Sequence, residues 1–444
     1  MDKFVGVILC EMTNVGLRCV RGLFMCLNLL FGLVMIWLMC YNIKLDKYML
    51  RKCDFEEGQM RLLVKNALIY DSADRAFVRG NMLCAGERIA AIELGGDAAL
   101  EYDAILDADG GYLVPGLVDI HTHGRAGHDF CDAEGSEIQK MKVSYLGCGV
   151  TTVVPTLASA TLSDWTAAAE RIGAHSAGAG ARLMGLHLEG RYLNPSKRGV
   201  QAAELLVPPS ADELDSLLSH MGLLLHVSYA PETDRDGSFA AYAVERGVTL
   251  SAGHTAMTYA EAKLAESRGV RAYTHLFNAM NPLHHREGGA VCAALEGESY
   301  CELICDGMHI SPGVVRLAYK CKGAERLALV SDSMAGAGMP DGEYMIAGAR
   351  VCVRDGRALD ADGHLGGSTL DMFDALKNLM KFCSLSLESA LPCATLTPAR
   401  LVGIDGAVGS LEVGKFADAL LLRQRGGEWQ IQKTIIGGLD ASML

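Results

Sequence analysis

From Met60 onward the chain alternates between two textures. RLLVKNALIYD at 61–71, the stretch 75–94 and YDAILD from Tyr102 are short apolar–polar alternations. Gly-Asn and Gly-Glu turns break them, as expected of half-buried strands in a small sheet. The same texture returns at 406–438, so both ends are expected to meet in a small β-sandwich built from residues 60–112 and 399–444. Between them lie eight apolar runs of strand length, at 116–123, 151–156, 183–190, 223–232, 248–254, 271–278, 301–309 and 327–333. Stretches with helical spacing separate most of them, such as 163–176, 211–221, 239–247, 258–269 and 311–321. Continuous apolar strands alternating with amphipathic helices imply a parallel sheet covered on both faces. Eight such units predict an α/β fold of the (β/α)8 TIM-barrel kind over residues 113–398. An open doubly wound sheet would also alternate, but it would bring a Gly-rich phosphate turn after an early strand, and no GxGxxG is present.

Residues 1–59 break this pattern. From Gly22 to Ile43 there is no charged residue, and the run is long enough to span a bilayer. Lys44, Lys47, Arg51 and Lys52 follow it, against Arg18 and Arg21 before it, a bias that would leave the C-terminal side in the cytoplasm. Two readings fit: a membrane anchor, or an extension upstream of a natural start at Met60. Both leave the globular part cytoplasmic, and a membrane is a partner only in the first.

The chain has 444 residues, half of them hydrophobic, enough for a substantial core, and a net charge of -13. That charge argues against a nucleic-acid partner, which needs clustered Lys and Arg. Of the 15 cysteines five precede residue 60, and the rest are scattered with no CxxC pair, which reads as reduced thiols.

Almost every strand run ends in a residue able to bind a metal or move a proton. They are His121 with His123, Glu189, Glu232, His254, His275, Asp306 with His309, and Asp332. In LVPGLVDIHTHG the two histidines stand two apart on a strand and point to one side, preceded by Asp119, which suits a metal site. Taken singly, His254 also fits a core histidine, Glu189 an ion pair with Arg191 or Arg198, and His275 a backbone hydrogen bond. Asp332 ends an apolar strand, where a carboxylate is seldom structural. His284 and His285 read as surface or substrate contacts, His187, His220 and His226 as structural. A barrel gathers all its strand C-termini on one rim, and that joint convergence outweighs each separate alternative.

Those residues sit in PGLVDIHTHG, HLEGRYLNPSKRGVQ, SYAPE, SAGHT, THLFNAMNPLHHREGG, CDGMH, LVSDSMAGAG and LGGSTLDM. With the closing TLTPARLVGIDGAVGSLEVGKFADALLL, they make the chain resemble the amidohydrolase superfamily, and within it the deacetylases of N-acetyl-hexosamine 6-phosphates. The resemblance implies that Glu189, His254 and His275 hold a divalent metal ion, and that His121 and His123 match a pair holding a second ion in some members. It implies Asp332 as the catalytic carboxylate. Val200, Gln201, Asn278, Ala279, Arg286, Asp306, His309, Leu365, Gly366 and Gly367 match the substrate site. Arg286 would reach in from the neighbouring subunit of a homodimer. The implied reaction is hydrolysis of the acetamide of N-acetyl-D-glucosamine 6-phosphate to D-glucosamine 6-phosphate and acetate, with Zn, Fe or Mn all suited to these ligands.

Three residues depart from the family pattern. Arg191 replaces the usual proline after HLEG and would put an extra positive charge near the site. Gln201 stands where a histidine contacts the substrate, and Ala256 where a polar residue is common. Gln201 leaves N-acetylgalactosamine 6-phosphate as an alternative substrate. An amidohydrolase for cyclic amides would commonly carry a metal-bridging lysine where Glu189 stands. A catalytically silent binding barrel would be expected to have lost Asp332 or a ligand.

Overall fold

The run Leu117–Thr122 is buried at all six positions, as is Val150–Ala158 at all nine. Strands with both faces covered are what a parallel sheet flanked by helices requires. In the computed structural model, which describes residues 59–95, 100–221 and 224–443, they are the first two strands of a barrel. The eight are β1 Leu117–Thr122, β2 Val150–Ala158, β3 Leu186–Glu189, β4 Leu224–Tyr229, β5 Thr249–Ala252, β6 Val270–Tyr273, β7 Tyr300–Ile304 and β8 Leu327–Val330. Each pairs in parallel with the next, from β1 through to β8. The Asp332 N–H donates to the His121 carbonyl at 2.9 Å and the His123 N–H to the Ser333 carbonyl at 2.8 Å, bringing β8 back to β1. The sheet closes, which settles the choice against an open doubly wound fold.

A helix follows each strand: α1 Gly135–Gly147, α2 Leu162–Ala174, α3 Ala211–Met221, α4 Ser238–Glu245, α5 Tyr259–Ser267, α6 Gly289–Glu296, α7 Pro312–Arg326 and α8 Met372–Cys383. Local chemistry sets their starts. Thr161 caps α2 by accepting from the Asp164 N–H, and Thr258 with Glu261 forms a reciprocal capping box on α5.

The two ends of the described region form one eight-stranded sheet. Arg61–Asp71, Ala76–Ala85, Arg88–Leu94, Ala104–Asp107 and Tyr112–Pro115 come from one side, Ala419–Arg425, Glu428–Ile436 and Leu439–Asp440 from the other. Tyr112–Pro115 joins them, pairing in parallel with Arg61–Asp71 and antiparallel with Ala419–Arg425. Val64, Ile69 and Met82 from one end and Leu421 and Ile435 from the other share an apolar cluster. Residues 399–408 behave differently from the rest of the C-terminal segment: Ala399, Leu401, Val402, Ile404 and Val408 pack with Val118, Ile120, Val154 and Val330 of the barrel.

One element was not expected. Between β8 and α8 the chain inserts a three-stranded antiparallel sheet, Gly342–Ile346, Ala349–Arg354 and Arg357–Leu359, over its own small core of Met334, Ile346, Val351, Val353 and Ala358. Among the described residues no helix is long and apolar enough to cross a membrane; the apolar 22–43 stretch lies outside them.

Candidate active site

The C-terminal ends of the strands open into a cavity of about 650 Å³. Glu189, at the end of β3, is its centre. One carboxylate oxygen, Oε1, lies 2.8 Å from His275 Nε2 and 3.1 Å from His254 Nε2. The other, Oε2, lies 3.1 Å from His123 Nε2 and 3.5 Å from His121 Nε2. Two three-residue groups therefore share Glu189: one with His254 and His275, the other with His121 and His123. Asp332 faces the second, its Oδ1 3.4 Å from His123 Nε2 and 3.5 Å from His121 Nε2.

These distances suit ligands converging on a cation better than hydrogen bonds. His254 Nε2 and His275 Nε2 approach to 3.1 Å, although two lone pairs repel. Donors held at about 2 Å around a tetrahedral ion come to roughly 3.3 Å from one another. His254 Nδ1 is 2.7 Å from the Lys197 carbonyl, which can only accept, so the proton sits on Nδ1 and Nε2 is free to ligate. His121 Nε2 is buried without a hydrogen-bond partner. Among the described residues the ion-pair partners of buried Glu189 and Asp332 are all imidazoles. The donor set fits one or two divalent ions.

The electrostatics agree. Burial opposes charging His123, but Asp332 and Glu189 outweigh it and push its pKa up to about 9. Burial also opposes ionising Glu189, yet His121, His123 and His254 hold it well below the carboxylate range. The carboxylates attract positive charge strongly enough to draw protons onto imidazole. His254, His275 and Asp332 hold left-handed backbone, with φ of 46°, 31° and 47°. Such strain costs on the order of 1–3 kcal/mol per residue and concentrates at functional positions.

Further residues from the sequence reading line the same cavity: Val200, Gln201, Asn278, Ala279, His309, Leu365, Gly366 and Gly367. Val200 packs on the inserted sheet, so the β3–α3 loop and the insertion together roof the cavity. Asn278 turns its amide N–H toward the His275 carbonyl at 3.0 Å, which stiffens the β6 loop.

Several expectations need correction. Asp306 does not line the cavity; it holds His309, Oδ2 to Nδ1 at 2.7 Å, and accepts its backbone N–H at 2.8 Å. Arg286, expected to serve a neighbouring subunit, is exposed and lies outside the cavity of its own chain, as do His284 and His285, and none of these three needs correcting. Glu232 faces away and clasps two loops, accepting from Asn194 Nδ2, the Ala256 N–H and Thr255 Oγ1. Asp119 is no part of the metal site: it bridges β1 to β8 through Ser331, and burial raises its pKa to about 6. Arg191 brings no charge to the cavity, because its guanidinium pairs with Glu213 of α3 at 2.8 Å and donates to the Ala160 carbonyl. Gln201 lines the cavity, but its amide is engaged on both sides, accepting from the Ser159 N–H at 2.7 Å and donating to the Glu189 carbonyl at 2.9 Å. Glu302 was missed. It is a lone carboxylate inside an apolar strand run, and that was its signal.

A closed (β/α)8 barrel with a carboxylate and four histidines converging at its strand ends defines a class of metal-dependent hydrolases, and the chain belongs to the amidohydrolase family, whose model matches residues 112–439. Within that family it is similar to the N-acetylglucosamine-6-phosphate deacetylase of Vibrio furnissii, at 32% identity over 73% of this chain and 82% of that protein. It is 35% identical to the N-acetylgalactosamine-6-phosphate deacetylase of Escherichia coli O157:H7, over 72% of this chain and 85% of that one. The solved structure of the N-acetyl-D-glucosamine-6-phosphate deacetylase of Mycobacterium smegmatis, in complex with N-acetyl-D-glucosamine-6-phosphate, superposes with a TM-score of 0.77 at 29% identity, covering 86% of this chain and 99% of that one.

Proposed function

We infer that the chain hydrolyses the acetamide of N-acetyl-D-glucosamine 6-phosphate, releasing acetate and D-glucosamine 6-phosphate. The observation that carries this reading is the meeting in one cavity of Glu189, His254, His275 and Asp332 with Asn278, Ala279 and His309. One end can hold a hydrolytic ion and the other an anion.

Glu189, His254 and His275 would hold one divalent ion, and His121 and His123 with Glu189 a second. Such an ion supplies Lewis acidity toward the carbonyl and a water of lowered pKa. Asp332 is placed to take a proton from the attacking water and later to deliver it to the departing amine, which leaves poorly unless protonated. Burial works against its ionised form, but His121 and His123 hold its pKa below the usual value, so it is a base at neutral pH. His309 meets the 6-phosphate as a cation. Burial opposes its charge, yet the Asp306 carboxylate raises its pKa above the ordinary imidazole value. Asn278 and the backbone around Ala279 complete the cradle. Arg286 contributes its planar fork to the phosphate across the interface of a cytoplasmic homodimer.

The Escherichia coli relative favours one second reading, N-acetylgalactosamine 6-phosphate as the preferred substrate. Both are tested by acetate release from a panel of N-acetyl-hexosamines, with and without the 6-phosphate, by metal-loaded protein. Release from the gluco 6-phosphate first is expected. No release from any phosphorylated sugar while metal is bound would sink the assignment.

A further inference from the structure

Glu302 sits in the middle of β7, in a strand buried at all five positions, and is itself fully buried. Nothing in the reaction above uses it. A buried carboxylate is costly unless charged partners or several donors surround it. Among the described residues its ion-pair partners are two histidines, His121 and His226. Oε2 lies 2.9 Å from His121 Nδ1 and also accepts the backbone N–H of His275 at 3.2 Å. Oε1 lies 3.1 Å from His226 Nε2.

An ionised carboxylate only accepts, so the His121 proton sits on Nδ1. That leaves Nε2 with a free lone pair, and Nε2 is the buried atom without a hydrogen-bond partner, 3.5 Å from both Glu189 Oε2 and Asp332 Oδ1. We propose that Glu302 is a positioning residue of the metal centre. It holds His121 in the tautomer whose Nε2 can ligate, and through the same oxygen it ties that position to the strand end that carries His275. The chain then takes two ions, and Glu302 sets the affinity for the one on His121 and His123. This rests on the reading that the histidines hold divalent metal, and on nothing about the sugar.

The test is Zn²⁺ loading of the full chain, with stoichiometry from elemental analysis and affinities from chelator competition. The wild type is expected to bind two Zn²⁺ per chain. In E302Q the amide N–H₂ can turn toward His121 and favour the other tautomer. The second ion should then bind about 10–100-fold more weakly, the usual cost of losing the partner of a metal-bound histidine. H121Q removes the ligand itself and should weaken the second ion at least as much, and the double variant no further than H121Q alone, because Glu302 acts through His121. A purely structural role would instead lower the unfolding midpoint and weaken both ions alike. If E302Q does not fold, E302D keeps the charge with a shorter reach and should lose the second ion in the same way. A wild type that takes up one Zn²⁺, a second-ion affinity unchanged in E302Q or E302D, or additive losses in the double variant would overturn the proposal. Two bound Zn²⁺ with no acetate released would sink the substrate reading and leave Glu302 standing.

Discussion

The backbone carbonyl of Lys197 accepts the Nδ1–H of His254 at 2.7 Å. Lys197 belongs to the loop that roofs the cavity, and His254 belongs to the metal centre. The Gln201 side chain makes a second link from that loop, to the Glu189 carbonyl. Removing the metal frees the His254 ring to turn, which loosens its hold on the Lys197 carbonyl and so the roof. Amide hydrogen exchange over residues 194–201 should quicken on chelation and slow again when metal is restored, while exchange in β2 stays unchanged.

Asp332→Asn keeps the shape of the side chain and removes the base. Its kcat should fall about 10²–10⁴-fold, the usual contribution of general acid–base catalysis, with metal content unchanged. Steady-state kinetics with elemental analysis checks this. Loss of metal instead would make Asp332 a ligand.

His309 supplies a pH dependence whose sign is fixed by its partner. The Asp306 carboxylate, 2.7 Å away, raises its pKa, and a cation with a raised pKa keeps its charge below that value and loses it as pH climbs through it. KM for the phosphorylated sugar should therefore rise on the alkaline side, above the ordinary imidazole range. Asp306→Asn removes the stabilising charge and should move that rise to lower pH. A KM profile identical in the two proteins would exclude His309 from phosphate binding.

Arg191 stands where proline is usual, yet Arg191→Pro should not be benign. The residue has a φ of 52°, which proline cannot adopt, and its N–H donates to Ser159 Oγ at 3.0 Å. The substitution also removes the ion pair with Glu213. A loss of more than about 1 kcal/mol in denaturant unfolding is expected.

The barrel was legible because a strand buried on both faces writes itself as a continuous apolar run, and because polar strand ends recur with every β/α unit. His121, His123, Glu189, His254, His275 and Asp332 could be gathered before any coordinates, since a closed barrel is what makes them neighbours. Direction of side chains was not legible. Glu232 reads as a strand end like Glu189, but β4 stops at Tyr229 and Glu232 sits in the short 3-10 turn Pro231–Thr233, where it accepts from the Asn194 side chain and the Ala256 N–H instead of facing the cavity. Gln201 sits at the position read as a sugar contact, and only the structure shows its amide engaged by Ser159 and Glu189. The inserted sheet at 342–359 had its own signal, an alternating pattern with Asp355-Gly356 as a hairpin turn, but it is masked by the glycine-rich run before it. Glu302 was hidden because an apolar strand with one carboxylate reads as core until its partners are seen.

The proposed reaction needs one cavity both to recognise a phosphorylated acetamido sugar and to cleave its amide with Asp332 and bound metal. It is tested most directly by measuring kcat/KM for acetate release from N-acetyl-D-glucosamine 6-phosphate and from unphosphorylated N-acetyl-D-glucosamine with the same metal-loaded preparation. Turnover of the phosphorylated sugar that chelator abolishes is expected, with the unphosphorylated sugar at least about 10²-fold poorer, the loss that follows when a charge-assisted phosphate contact goes unmade. Equal rates on the two sugars, or acetate release that survives complete removal of metal, would contradict it.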